Sequence, residues 1–256
     1  MDQRNSAAQL ALNRVLHCGR SSRQDSFRLA FALALTALFL SSDSSIALTL
    51  HYETRNADSG AIVTKSSRVI RRVSPSTFEV VLLWASPADS SSGEQRYLVD
   101  DDFATLEWTV ERPDTKTNYT GRREGNVLTI TGTLDGAVVE KRIEIDERPF
   151  HNNPSFGLEG FVRSGEKEAE FRTLRPDNLS DYKMKARVKE RDVINIGGQE
   201  VTAVRVEWGL TGFKSMFFKR NLWFRESDGR FLRSEVADGE YSELVRSVPD
   251  ESDSAP

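Results

Sequence analysis

The chain has 256 residues, 38% of them hydrophobic and 29% charged, with a net charge of −4. This content of aromatic and β-branched residues excludes a disordered polypeptide, the length allows one domain or two, and the absence of a concentrated basic run argues against a nucleic-acid partner. The single cysteine, Cys18, precedes an apolar run, so disulfides, thiol catalysis and thiolate metal sites are excluded from everything after it.

That run, Leu29 to Leu40, reads LAFALALTALFL and follows Arg20, Arg23 and Arg28. A membrane-spanning helix needs about 20 apolar residues; a dozen behind basic residues is the size of a signal-peptide core. Ser45 and Ala47 are the small residues of a cleavage site, so residues 1–47 are read as a signal peptide cut after Ala47. A retained anchor and a buried helix fit the length less well. No cysteine follows the run, so lipid attachment is not expected. Removal takes away five Arg and three Asp and leaves a net charge of −6. The expected compartment is the periplasm, with no stable membrane span once the leader has gone.

After the leader the period is two. Leu48–Glu53 alternates apolar and polar as a half-buried strand does. Asn56–Gly60 is turn material, Ile62–Val73 and Phe78–Trp84 are strands, and Pro87–Gly93 is a loop. Arg96–Val99 and Ala104–Val110 are further strands around the turn Asp100–Asp102, and Pro113–Asn118 is a polar linker. Asn126–Gly132 and Ala137–Ile145 flank Asp135-Gly136, whose positive φ suits a tight hairpin. Pro149–Ser164 holds one short helix with an apolar face of Phe156, Leu158, Phe161 and Val162; Glu166–Glu170 is read as a solvated turn. Phe171–Leu174, Tyr182–Ile196, Val201–Leu210, Leu222–Glu226, Phe231–Val236 and Tyr241–Val248 are strands, with turns at Gly197-Gly198 and Ser227–Arg230. The expected fold is all-β with one or two short helices: a large curved antiparallel sheet, a half-barrel or open barrel, over 48–248. Residues 249–256 have the composition of a disordered acidic tail.

Catalytic patterns are sparse. His51 and His151 stand alone and are read as surface or edge residues, without metal or triad spacing. Asp101, Asp102 and Glu107 beside Trp108 could serve as glycosidase carboxylates, but any acidic strand–turn–strand unit carries such residues. No catalytic residue, metal ligand or cofactor is assigned. Aromatic residues crowd the C-terminal third, and Trp208, Phe213, Trp223 and Phe231 are the candidate lining of an apolar ligand site; the plainer reading is ordinary core. Neighbours in a strand face opposite ways, so Trp223 and Phe224 cannot share one core.

The stretches Thr117–Gly125 (TNYTGRREG) with Asn126, Tyr182–Ala186 (YKMKA), Trp223-Phe224-Arg225 and Asp228–Phe231 (DGRF) resemble an uncharacterised family of exported bacterial β-sheet domains. That family is similar in fold to lipoprotein-carrier half-barrels, in which a curved sheet wraps a hydrophobic cavity under a helical lid. The resemblance implies a fold and a compartment, and no catalytic residues. The function expected is a non-enzymatic domain that binds an apolar ligand, a lipid or lipoprotein-like partner, in its concave sheet. The alternatives are an interaction module with a filled core, whose partner would be an envelope protein, and a glycan hydrolase acting through Asp102 and Glu107.

Overall fold

Alternation of buried and exposed residues dictates long strands, and the glycine turns fold each strand back on the last. The computed structural model describes residues 47–212, 216, 218–235 and 239–249. The expected signal peptide (1–46 of it) and the tail from 250 onward lie outside the described residues.

Eight consecutive strands come first: β1 (Leu48–Asn56), β2 (Ile62–Ser74), β3 (Thr77–Ala85), β4 (Ser92–Asp100), β5 (Thr105–Arg112), β6 (Thr117–Glu124), β7 (Val127–Leu134) and β8 (Ala137–Glu144). Two short helices follow, α1 (Pro154–Gly157) and α2 (Glu159–Ser164). Then come β9 (Glu168–Leu174), β10 (Asp181–Ile196), β11 (Gln199–Leu210), β12 (Lys219–Arg225), β13 (Phe231–Glu235) and β14 (Glu240–Pro249). All 14 join one antiparallel sheet in the order β8-β7-β6-β5-β4-β3-β2-β1-β14-β13-β12-β11-β10-β9. Two up-and-down meanders therefore meet at one seam, where Leu48 on β1 lies opposite Pro249 on β14. The expected all-β curved sheet is what the chain forms; its terminal strands β8 and β9 do not pair with each other, so it is not a closed barrel.

The strip between β8 and α1 bridges part of that gap. Arg172 N–H donates to Pro149 O (2.8 Å), His151 N–H to Arg172 O (2.9 Å) and Thr105 N–H to Phe150 O (2.7 Å). Residues 149–151 thus tie the outer edge of β9 to the start of β5, covering part of an edge that would otherwise invite pairing. Phe150 is fully buried and its ring lies 5.2 Å from that of Trp108.

Two differences from the sequence reading have physical causes. The linker read at 113–118 is a single 3-10 turn (Pro113–Thr115) leading directly into β6. β6 turns Thr117, Tyr119 and Gly121 inward, so its buried side has little apolar signature. Gly121 is there because the Trp108 indole lies on it: a Cβ would sit 2.0 Å from Cζ2. The solvated turn read at Glu166–Glu170 is already strand β9 from Glu168, an edge position where charged residues are tolerated.

Adding a side chain under Trp108 forces the ring or the strand to move. Gly121→Val is expected to cost about 3 kcal/mol, read as a lowered urea midpoint; an unchanged midpoint would show that the indole has room to shift.

Candidate functional site

A half-barrel must fill its concave face with something apolar, and this chain fills it with its own helices. Asn153 caps α1 by accepting from Ser155 N–H (3.0 Å), and Pro154 occupies the first helical position. Phe156 and Leu158 are fully buried, and Phe156 meets the Tyr97 ring edge-on at 5.0 Å. Phe156 belongs to the apolar cluster under β3–β7, Leu158 and Phe161 to that under β1 and β9–β14. The helices plug the seam between the two.

At the centre of the plug lies an ion pair. On β2, Arg68 stands opposite Leu50 on β1 and Leu82 on β3, so it points inward. Its Nη1 donates to Glu159 Oε1 (3.0 Å) and its Nη2 to Ser155 Oγ (2.7 Å). The two charged side chains are only 3% and 7% exposed. The rings of Tyr52, Phe231 and Phe156 surround the guanidinium at 5.1, 5.4 and 5.5 Å, offering their negative faces to it. Glu159 Oε1 also accepts from Phe231 N–H (3.2 Å). Burial raises the Glu159 carboxyl above its ordinary range, opposed by Arg68 and the Phe231 N–H. Burial likewise pushes the Tyr52 phenol up to about 12; its hydroxyl donates to Phe231 O at 3.3 Å.

Of the four aromatic residues picked from the sequence, the structure brings two to the inner face. Phe231 is buried against Arg68, Tyr52 and Phe224. Trp208 is half-buried and stacks edge-on with Phe218 at 5.1 Å. Trp223 is not with them: Leu222 and Phe224 take the core, and Trp223 faces the other side, beside Arg205 and Arg233, where its Nε1 donates to Asp192 Oδ2 (2.9 Å). Phe213 lies outside the described residues. Trp208, Trp223 and Phe231 do not line one cavity, because alternation sends Trp223 and Phe224 to opposite faces. Three open grooves are lined by described residues. The one holding Trp223, about 710 Å³, is shared with Arg220, Arg233, Glu235 and Tyr241.

The suggested carboxylates do not converge either. Glu107 is exposed on the side of β5 opposite the buried Trp108, and Asp102 lies in an exposed turn. Neither lines any of the three grooves. Among the described residues no group of His, Cys, Asp and Glu is placed to hold a metal ion.

His151 corrects the surface reading: it is 6% exposed. Sequence alternation misplaced it because its burial comes from the strip, which runs beside the outer edge of β9 in a short parallel bridge instead of continuing a strand. Its Nδ1 lies 3.1 Å from Phe103 O; a carbonyl only accepts, so Nδ1 carries the proton. Burial lowers the His151 pKa to about 4. Next to it, Arg172 is buried and pairs with Asp181 and, at 3.6 Å, with Asp146. Burial would raise the Asp146 carboxyl, but the Arg148 N–H and the charges of Arg172, Arg148 and Lys183 outweigh it and hold Asp146 below its usual range. These charges pin the strip to β9 and β10. His51, by contrast, is half-buried with Nδ1 2.9 Å from Ser67 Oγ.

A curved antiparallel sheet plugged by its own helices defines a β-barrel-like domain. No family model matches the chain, and no curated protein matches it. Among solved structures it is similar to a β-barrel-like protein of the domain of unknown function DUF1849 from Brucella abortus, at 9% identity over 80% of this chain and 98% of that one, with a TM-score of 0.50. It is also similar to the hypothetical lipoprotein YmcC from Escherichia coli, at 11% identity over 90% of this chain and 98% of that one, with a TM-score of 0.34. The first shares the fold, in keeping with the expected likeness to uncharacterised β-sheet domains.

Removing one partner of the buried pair leaves the other charge uncompensated. Arg68→Ala is expected to destabilise by about 3–5 kcal/mol, whereas the double change Arg68→Met with Glu159→Leu is expected to be near neutral. Urea unfolding of the three proteins measures both; equal losses in single and double variants would mean that packing, not charge, dominates. The unfolded chain protonates His151 near its ordinary 6.5, the folded chain only near 4. Stability supplied by His151 is therefore present above 6.5 and lost as pH falls toward 4, by about 3 kcal/mol in all. The raised Glu159 carboxyl acts in the opposite direction, so the comparison is between wild type and His151→Gln. The variant should lose less stability between pH 7 and pH 5, and parallel curves would refute the assignment.

Proposed function

We propose that this chain is an exported, non-enzymatic module of the cell envelope that works through protein contacts on its outer surface. The observation that carries this reading is the filled concave face: α1 and α2 occupy the space where a half-barrel would enclose a ligand, clamped by Arg68 and Glu159. For an acyl chain to enter, the plug would have to leave, exposing apolar surface worth about 25 cal/mol per Å² and breaking a buried ion pair. The leader-like run Leu29–Leu40 and the absence of cysteine after it support export. Among the described residues no helix is long and apolar enough to cross a membrane. The scattered positions of Asp102 and Glu107 and the buried His151 support a non-enzymatic role.

A C-terminally tagged chain expressed in a Gram-negative host is expected in the periplasmic fraction, shortened by its leader; full-length protein confined to the cytoplasm would overturn export. Material purified from that fraction is expected to carry no stoichiometric lipid by mass spectrometry and to bind no fluorescent fatty acid. A lipid found at one per chain would favour the alternative in which the concave face binds an apolar ligand beside Trp208 and Phe231.

A further inference from the structure

Strand β8 is the outermost strand of its meander, and its free edge is regular. Asp135 and Gly136 both have positive φ (51° and 78°), the conformation of a type I′ two-residue turn. In such a hairpin the flanking residues, Leu134 and Ala137, form the first hydrogen-bonded pair, and the ladder repeats at every second residue. Val139, Lys141 and Ile143 then bond to β7. The N–H and C=O groups of Val138, Glu140, Arg142 and Glu144 point away from the sheet. β8 has no second strand beside it, and among the described residues no other backbone bond engages those groups. The same four side chains are exposed, Val138 at 88%. Glu140, Arg142 and Glu144 form no ion pair among the described residues.

We propose that a second copy of this chain adds to this edge, β8 against β8, antiparallel about a two-fold axis through Lys141. A continuous sheet related by such an axis pairs residues symmetrically about one central residue, so the centre decides which charges meet. With Glu140 at the centre, Glu140 faces its own copy. With Arg142 at the centre, Arg142 faces its own copy and Glu140 faces Glu144. With Lys141 at the centre, each Glu140 faces the Arg142 of the other copy, and each Val139 faces Ile143. With Ile143 at the centre, Arg142 would face Glu144, but Glu140 would face Asp146 and only residues 142–144 of the strand would overlap; the Lys141 register is the one that pairs opposite charges while overlapping 138–144, where direct cross-strand pairs are felt most. Lys141 itself points inward and its Nζ donates to Asn178 O (2.7 Å), which draws its charge away from the axis. The eight free backbone groups per copy and the reciprocal Glu140–Arg142 pairs make the edge complementary to itself. This pairing supplies one partner for the interaction role proposed above; a monomeric chain would remove the pairing and leave that role to a different protein.

Sedimentation velocity of the purified chain tests the register. The wild type is expected to shift from monomer toward dimer as concentration rises from about 1 to about 100 µM. Glu140→Arg and Arg142→Glu each place like charges across the axis and should remain monomeric over that range. The double variant Glu140→Arg with Arg142→Glu restores opposite charges and should dimerise again, and an equimolar mixture of the two single variants should form a heterodimer. All the substituted side chains are exposed, so far-UV circular dichroism should be unchanged. A wild type that stays monomeric, a dimer indifferent to Arg142→Glu, or a double variant and mixture that both stay monomeric would each overturn the proposal.

Discussion

The interior of this domain depends on one charged contact, the pair of Arg68 and Glu159 beneath the middle of the sheet. Desolvating two ions is costly, and their mutual attraction offsets that cost only when the geometry is good and the remaining polar atoms are satisfied. Here Ser155, the Phe231 N–H and three aromatic rings share the task, while Arg68 Nε is buried without a hydrogen-bond partner. The pair joins a strand next to the central seam to a helix more than ninety positions later in the chain. It therefore fixes where the plug sits, which apolar packing alone would leave to the best fit of Phe156, Leu158 and Phe161. A charge buried this way specifies position more than it adds stability.

The rest of the concave side follows from that placement. With α1 and α2 held under β2, the preceding strip is brought between β5 and β9, and the Ser227–Arg230 turn packs over α2, so that a Cβ at Gly229 would meet Glu159 O at 2.8 Å. His151 is buried as a consequence of the strip's path. The concave face becomes core, and the surfaces left for contact are the convex face and the free edge of β8.

Much of the fold was legible because strand alternation and glycine turns are local signals. Leu50 and Tyr52 inside with His51 and Glu53 less buried, or the Asp135-Gly136 hairpin, follow from neighbours in the chain. β6 escaped because its inward residues are Thr117, Tyr119 and Gly121, and the glycine answers to the Trp108 ring lying on it, a contact between strands. The clamp left a faint trace: Arg68 shares the parity of Ile62 and Ile70, and Glu159 lies three residues after Phe156 and three before Val162, inside the apolar stripe. Each residue looks like an interruption alone, and only their meeting across the sheet makes sense of both. Trp223 groups with Phe231 in the sequence because composition records how many rings cluster there, while the pleat sends Trp223 and Phe224 apart.

The join between the two meanders has a bearing on how the chain acquires its shape. Every other neighbouring pair in the sheet is made by strands consecutive in the chain, so each can form as soon as its hairpin exists. β1 alone must wait for β14, the last of the fourteen strands in chain order. Until then the first meander has an open flank at β1 as well as at β8, and half of the pocket that receives the plug is missing. Assembly of this domain is governed by that final closure across nearly its whole length, a topology that folds slowly and leaves sticky strand margins bare in the interval.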